Sequence, residues 1–175
     1  MAKDDADRRY WARLGLGDVK LQRGDLAAAL SDYKDATAKV DGLAKSDPGN
    51  AGWQRDLSVS FNKVGDVLVA QGNLPEALKS YRDSLAIFDR LAKSDPGNAG
   101  GQHDRSVSFA KLAVVQQKMS APAEALSSLR QGQEIIARMM QISPDNETWQ
   151  NDLAWFNDQI AQMKPLRKSK NSHSN

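Results

Sequence analysis

The sequence predicts an all-α protein, an α-solenoid of three antiparallel helix hairpins followed by one capping helix. Three observations predict it. The ten residues from Leu43 to Gly52 return unchanged from Leu91 to Gly100, an offset of 48 residues. A decayed third copy keeps the phase, with Ser143-Pro144-Asp145-Asn146 and Trp149 standing one further period after Asp95-Pro96-Gly97-Asn98 and Gly101. Within each period the apolar residues recur every third or fourth position, the spacing of an amphipathic helix, and no strand-like alternation is present. A fixed period of this size marks stacked supersecondary units, each unable to bury its apolar face alone.

The units are predicted at about 10–47, 50–95 and 98–142, with a final helix at 146–163. The clearest grammar is in the second. Asn50 is placed to cap a helix carrying Trp53, Leu57, Phe61, Val64 and Leu68. Gly72 supplies the left-handed residue that ends it. Asn73 then opens a second helix, with Pro75 in its first turn and Glu76 spaced for a capping box. That helix carries Ala77, Leu78, Tyr81, Leu85, Phe88 and Leu91. One period upstream, Arg23-Gly24-Asp25-Leu26 makes the same turn and Ala29, Leu30 and Tyr33 repeat the packing positions. One period downstream the match weakens: Gly101 replaces Trp53, and Ser120-Ala121-Pro122 replaces Gly72-Asn73-Leu74. Both Asp-Pro-Gly-Asn strings are turns that close one hairpin and open the next. Residues 1–9 read as a charged segment ahead of the first unit. Residues 164–175, with Lys164, Arg167, Lys168 and Lys170, read as a disordered basic tail.

Composition narrows the function. Acids and bases are interspersed at a net charge of +2, so no basic field points to nucleic acid. The absence of cysteine removes disulfides, thiolate nucleophiles and cysteine zinc sites. No apolar run approaches the ~18 residues that span a bilayer, and the first residues lack the apolar core of a secretory signal. The expectation is a cytoplasmic protein with no membrane contact.

Residues Phe61, Val64-Gly65, Leu68, Gly72, Ala77, Tyr81 and Ser84 are similar in spacing to the signature of the tetratricopeptide repeat (TPR) family. The first unit matches at Leu16-Gly17, Gly24, Ala29, Tyr33 and Ala36, and the third at Phe109, Leu112-Ala113, Ala125 and Leu129. The family period is 34 residues and the period here is 48. The chain therefore resembles a long-helix bacterial variant, with each helix about two turns longer. The likeness covers residues 10 to 163 and implies a right-handed superhelix. Gly17, Gly65 and Ala113 are expected to face Ala29, Ala77 and Ala125, letting the helices of each hairpin approach. Tyr33, Tyr81 and Leu129 are expected to fill the space between hairpins.

The resemblance also implies that the first helix of each hairpin lines a concave groove for peptides or partner helices. Carried over by period, the groove positions form four columns. They are Trp11, Val59, Val107 and Trp155; Leu14, Asn62, Ala110 and Asp158; Asp18, Asp66, Val114 and Gln162; and Leu21, Val69 and Gln117. Trp155 lies off the packing stripe of the last helix, formed by Trp149, Leu153, Phe156, Ile160 and Met163, as a partner anchor would. The family's clamp for a C-terminal carboxylate needs Lys and Asn where this chain has Leu14 and Asp18, and Lys where it has Val107. That departure argues against the clamp and favours a helix or extended peptide with apolar and basic side chains.

No catalytic constellation is legible. His103 takes the place of Arg55 one period earlier and reads as solvent-facing; His173 lies in the tail. Neither has ligand-like spacing to another histidine. Asp56, Asp104 and Asp152 recur in phase, as do Asp18 and Asp66, and read as solvated helix-surface acids. Ser58, Ser60, Ser106 and Ser108 have no nearby base in the pattern. The reading is a non-catalytic module without metal or cofactor, binding a protein partner as a monomer or with weak self-association. The alternative is a structural or regulatory repeat segment of a larger signalling protein.

Overall fold

The computed structural model describes residues 2–163, with side chains from Asp7 onward. Among the described residues there are seven helices: α1 (Ala2–Gln22), α2 (Leu26–Ser46), α3 (Ala51–Ala70), α4 (Leu74–Ser94), α5 (Ala99–Lys118), α6 (Pro122–Ile142) and α7 (Glu147–Met163). Six are 20 or 21 residues long, near 30 Å at the α-helical rise. Starts of α3, α5 and α7 are 48 apart, as are those of α2, α4 and α6. The charged residues ahead of the first unit are not a separate segment, since α1 begins at Ala2 and runs unbroken through them. Nothing in that stretch breaks a helix, because its first glycine is Gly15. The expected tail at 164–175 lies outside the described residues.

Each helix packs on its neighbours in sequence. Side chains also tie the odd-numbered helices to one another: the Tyr10 hydroxyl donates to the Asp56 carbonyl at 3.1 Å, and Gln117 Nε2 approaches Met163 Sδ at 3.4 Å. Thus α1, α3, α5 and α7 form one row, with α2, α4 and α6 packed behind it.

Local sequence accounts for most of the turns. Asn50, Asn98 and Asn146 each accept a hydrogen bond from the backbone N–H three residues on, at 3.1, 2.9 and 3.1 Å. Asp25 does the same for Ala28 at 3.0 Å. Asn73 departs from the expected capping box and makes no side-chain cap hydrogen bond. Its own N–H is taken by the Leu68 carbonyl, and the Leu74 N–H by Gly72, so the turn closes through its backbone. Gly24 and Gly72 both have φ of +78°. Their counterpart Ser120 is forced to φ of 59° without glycine's freedom.

The hairpin interiors correct one expectation. Gly17 and Gly65 lie under Tyr33 and Tyr81: a Cβ on them would stand 2.6 and 2.7 Å from the respective ring Cδ1 atoms. Each tyrosine therefore lies across its own hairpin's glycine, and the small residue makes room for a ring. In the third unit the pair is Ala113 and Leu129, both fully buried. At the last junction the same exchange recurs, because Gly132 admits the ring of Phe156. Phe156 occupies the place of Ser60 and Ser108.

Two positions set the first hairpin apart from its copies. Where Phe61 and Phe109 pack apolar rings, Arg13 stands half-exposed; where Ser80 and Ser128 lie, Asp32 is only 2% exposed. Arg13 Nη1 donates to Asp32 at 2.8 Å and Lys20 Nζ binds its other oxygen. Lys20 and Arg13 overcome burial and hold the Asp32 carboxyl below its ordinary range. No described helix is long and apolar enough to cross a membrane.

Candidate partner-binding groove

Six of the expected groove residues converge. Asp66 and Val69 of α3, Val107, Ala110 and Val114 of α5, and Trp155 of α7 line one cavity of about 500 Å³, with Tyr81, Lys111 and Asp152 on its rim. Its walls are aliphatic and aromatic and its polar groups are few, the make-up of a recognition pocket. Trp155 is 36% exposed and stands edge-on to buried Phe156 at 5.1 Å between ring centres. The indole is thus held from behind while its other side faces the groove.

The α5 wall of the cavity is apolar because the third unit has lost polar groups that tie the first two units to the next. In the first, Asp18 Oδ1 accepts from the Tyr33 hydroxyl at 2.5 Å and from Lys63 Nζ at 2.6 Å. In the second, Asp66 accepts from Tyr81 at 2.7 Å and from Lys111 at 2.6 Å. Each lysine comes from the next hairpin and also lies over the tyrosine ring, 5.8 and 5.7 Å from its centre. One period on, the three positions are Val114, Leu129 and Gln159, which cannot form the tie. One period back along the same wall, polar Asn62 and Asp66 stand where Ala110 and Val114 do.

Asp18 and Asp66 are therefore not solvated surface acids, and the lysines are not free groove cations. Burial works against ionisation of Asp18, but Lys63 and Tyr33 outweigh it and hold the carboxyl low. Burial, reinforced by the same carboxylate, raises the Tyr33 hydroxyl; burial and Asp66 do so for Tyr81. The sequence carried a signal for these ties: Asp18/Asp66, Tyr33/Tyr81 and Lys63/Lys111 repeat together and disappear together in the third unit.

The remaining expected groove residues do not join the cavity. Leu14 is 5% exposed and belongs to the core, and Leu21 packs against that core. The reason is that Leu14 lies on the buried stripe of α1, between Tyr10 and Gly17. Val59 and Asn62 are half-buried, and Asn62 Oδ1 is a buried acceptor with no hydrogen bond. Gln117 is engaged with Met163, and exposed Asp158 accepts from Gln162 Nε2 at 2.6 Å. Trp11 is 53% exposed at the opposite end of the row, edge-on to Tyr10 at 4.9 Å.

A second ladder crosses the ends of the odd helices. Arg55 binds Asp104 through Nε at 2.6 Å and Nη2 at 3.3 Å, and Asp104 raises the guanidinium pKa. His103 Nε2 meets Asp152 Oδ2 at 2.8 Å. His103 is thus half-buried and partnered, not solvent-facing. Burial pushes the Asp56 carboxyl upward, and Arg55 beside it works against that rise. Ser60 and Ser108 donate to helix carbonyls at 2.9 and 3.1 Å and serve as small packing residues. No group of three or more acid or histidine ligands occurs among the described residues.

No protein-family profile matches the chain, and no curated protein matches it. Its structure is similar to the crystal structure of a TPR-like protein from Chlorobium tepidum TLS. The TM-score is 0.62 at 16% identity, over 94% of this chain and 100% of that one. A de novo designed helical repeat protein aligns over 91% of this chain and 95% of its own length, at 11% identity and a TM-score of only 0.36. The chain therefore has a TPR-like helical-repeat fold.

Proposed function

We propose that the chain is a non-catalytic protein–protein interaction module that takes an apolar side chain of a partner polypeptide between α3, α5 and α7. The observation that carries this reading is the cavity floored by Val107, Ala110 and Val114 and flanked by half-exposed Trp155. Aromatic anchors beside apolar recesses supply most of the energy in such contacts. Asp66 and Asp152 line the same cavity but are already paired, with Lys111 and His103, so recognition rests on the apolar side chain. A randomised peptide library panned against the protein tests it. Enriched sequences are expected to share a large apolar residue. They should lose about tenfold or more in affinity against Trp155→Ala or Val107→Glu. Wild-type binding by both variants, each folded, rejects the pocket.

A second reading, a repeat segment of a larger signalling protein that self-associates, rests on α1. Its Ala12, Leu16 and Val19 are exposed, whereas their counterparts Ser60, Val64 and Val67 are buried under the preceding hairpin. Light scattering over a concentration series tests it: a strict monomer at high concentration rejects it, and mass growth lost in Leu16→Glu supports it.

A further inference from the structure

Gly101 stands where two other copies of the repeat carry tryptophan, Trp53 and Trp149. The three backbones match, since Asn50, Asn98 and Asn146 cap the N–H of each of these residues alike. Trp53 is buried and its indole N–H donates to Asp7 at 3.1 Å. The atoms nearest to a Cβ on Gly101 would be those of Asn98, at 3.7–3.9 Å, which is ordinary contact. The space beyond is a cavity of about 280 Å³ between α3, α4 and α5, with Arg55, Phe88, Leu91, Asn98 and Asp104 in its walls. Moved back one period, these walls become Asp7, Val40, Leu43, Asn50 and Asp56, and Gly101 becomes Trp53. The cavity is therefore the counterpart of the seat that an indole fills in the second unit. Phe88, larger than Val40, takes up part of that space without closing it.

We propose that this cavity binds a free planar aromatic ligand of indole size. Phe88 and Leu91 give it an apolar wall for the ring. Arg55, held in place by both oxygens of Asp104, offers a fixed guanidinium to a π face. The lone pairs Asp104 does not use are acceptors for a ring N–H, the role Asp7 plays for Trp53. The apolar part of the lining is Ala51, Phe88 and Leu91 and the rest is polar or glycine, so the ring stacks on the first set and its edge meets the second.

Indole is the probe. Titrated into the full chain and followed by calorimetry and by backbone amide shifts, it should bind with a Kd of about 1 mM or tighter. The largest shifts should fall on Gly100, Gly101 and Asp104. Gly101→Trp should weaken indole binding tenfold or more and raise the melting temperature by roughly 2–4 °C or more without ligand. Gly101→Leu, a smaller filler, should weaken binding in the same direction. Gly15→Ala, on an open face of α1 outside both cavities, should leave indole affinity unchanged. Saturable shifts confined to Val107 and Val114 would place the ligand in the groove instead and overturn the proposal. The proposal is overturned if indole produces no saturable shifts at Gly100 and Gly101 in the wild type. It is equally overturned if either filled variant, folded, binds indole as the wild type does.

Discussion

Replacing Gly65 by alanine sets two opposed effects against each other. In an exposed helix interior, alanine is better than glycine by about 1 kcal/mol. Gly15 provides that reference, because a Cβ there meets nothing within 4 Å. Gly15→Ala should therefore stabilise the protein by about 0.5–1 kcal/mol. At Gly65 the same methyl would lie 2.7 Å from Tyr81 Cδ1 and 2.9 Å from Cζ, where carbon contacts settle at about 3.5–4.0 Å. The ring cannot step aside cheaply. It is buried, its hydroxyl is bound to Asp66 at 2.7 Å, and Lys111 lies over its face. Overpacking of this kind costs about 1–3 kcal/mol, and a loosened hydrogen bond to a carboxylate about 1 kcal/mol more. Against the propensity gain, Gly65→Ala should destabilise by about 1–3 kcal/mol net.

The third unit supplies the rescue, because it pairs Ala113 with Leu129. Tyr81→Leu should cost stability in the wild type through the lost hydroxyl, yet relieve the clash in the Gly65→Ala background. The double-mutant cycle should show favourable coupling of at least about 1 kcal/mol. Urea unfolding monitored by far-UV circular dichroism gives all four corners, with a second probe to test that the array unfolds as one unit. If Gly65→Ala is as stabilising as Gly15→Ala, or the two changes add without coupling, the close approach of ring and helix is wrong.

Three further outcomes follow from the same geometry. Ser120→Gly removes a serine from φ of 59° on an exposed turn and should raise stability by about 1 kcal/mol, read as a higher urea midpoint. Asp32 has a folded pKa below its unfolded value, so its contribution is complete above the unfolded pKa and is lost as pH falls through the folded one. Asp32→Asn should therefore be less stable than wild type at pH 7, and the two stability curves should converge in acid. Tyr10 is the reverse case: burial pushes its hydroxyl up to about 12, so its contribution is complete below pH 10 and lost as pH rises from there to about 12. Alkaline titration of Tyr10→Phe should show a shallower fall over that interval.

What was legible in the sequence was whatever repeats. The duplicated block placed the turns within a residue or two, because Asn caps and left-handed glycines act locally and recur at each copy. The groove columns were legible by phase alone, and phase says nothing of burial. That is why Leu14 fell into the core while Val107, Ala110 and Val114, on the same grid, line an open cavity. The ties of Asp18 and Asp66 were hidden for a different reason. Their lysine partners lie 45 residues downstream, on the next hairpin, so no single unit contains the pair. Comparing the copies supplies the missing step. Positions that change together between units touch: glycine with tyrosine, alanine with leucine, and the whole Asp–Tyr–Lys set with Val114, Leu129 and Gln159. Where the set is present, the row of odd helices is bridged by charge. Where it is gone, Ala110 and Val114 give the cavity beside Trp155 an apolar wall. The apolar wall of the cavity thus comes less from the repetition than from the unit in which the repetition fails.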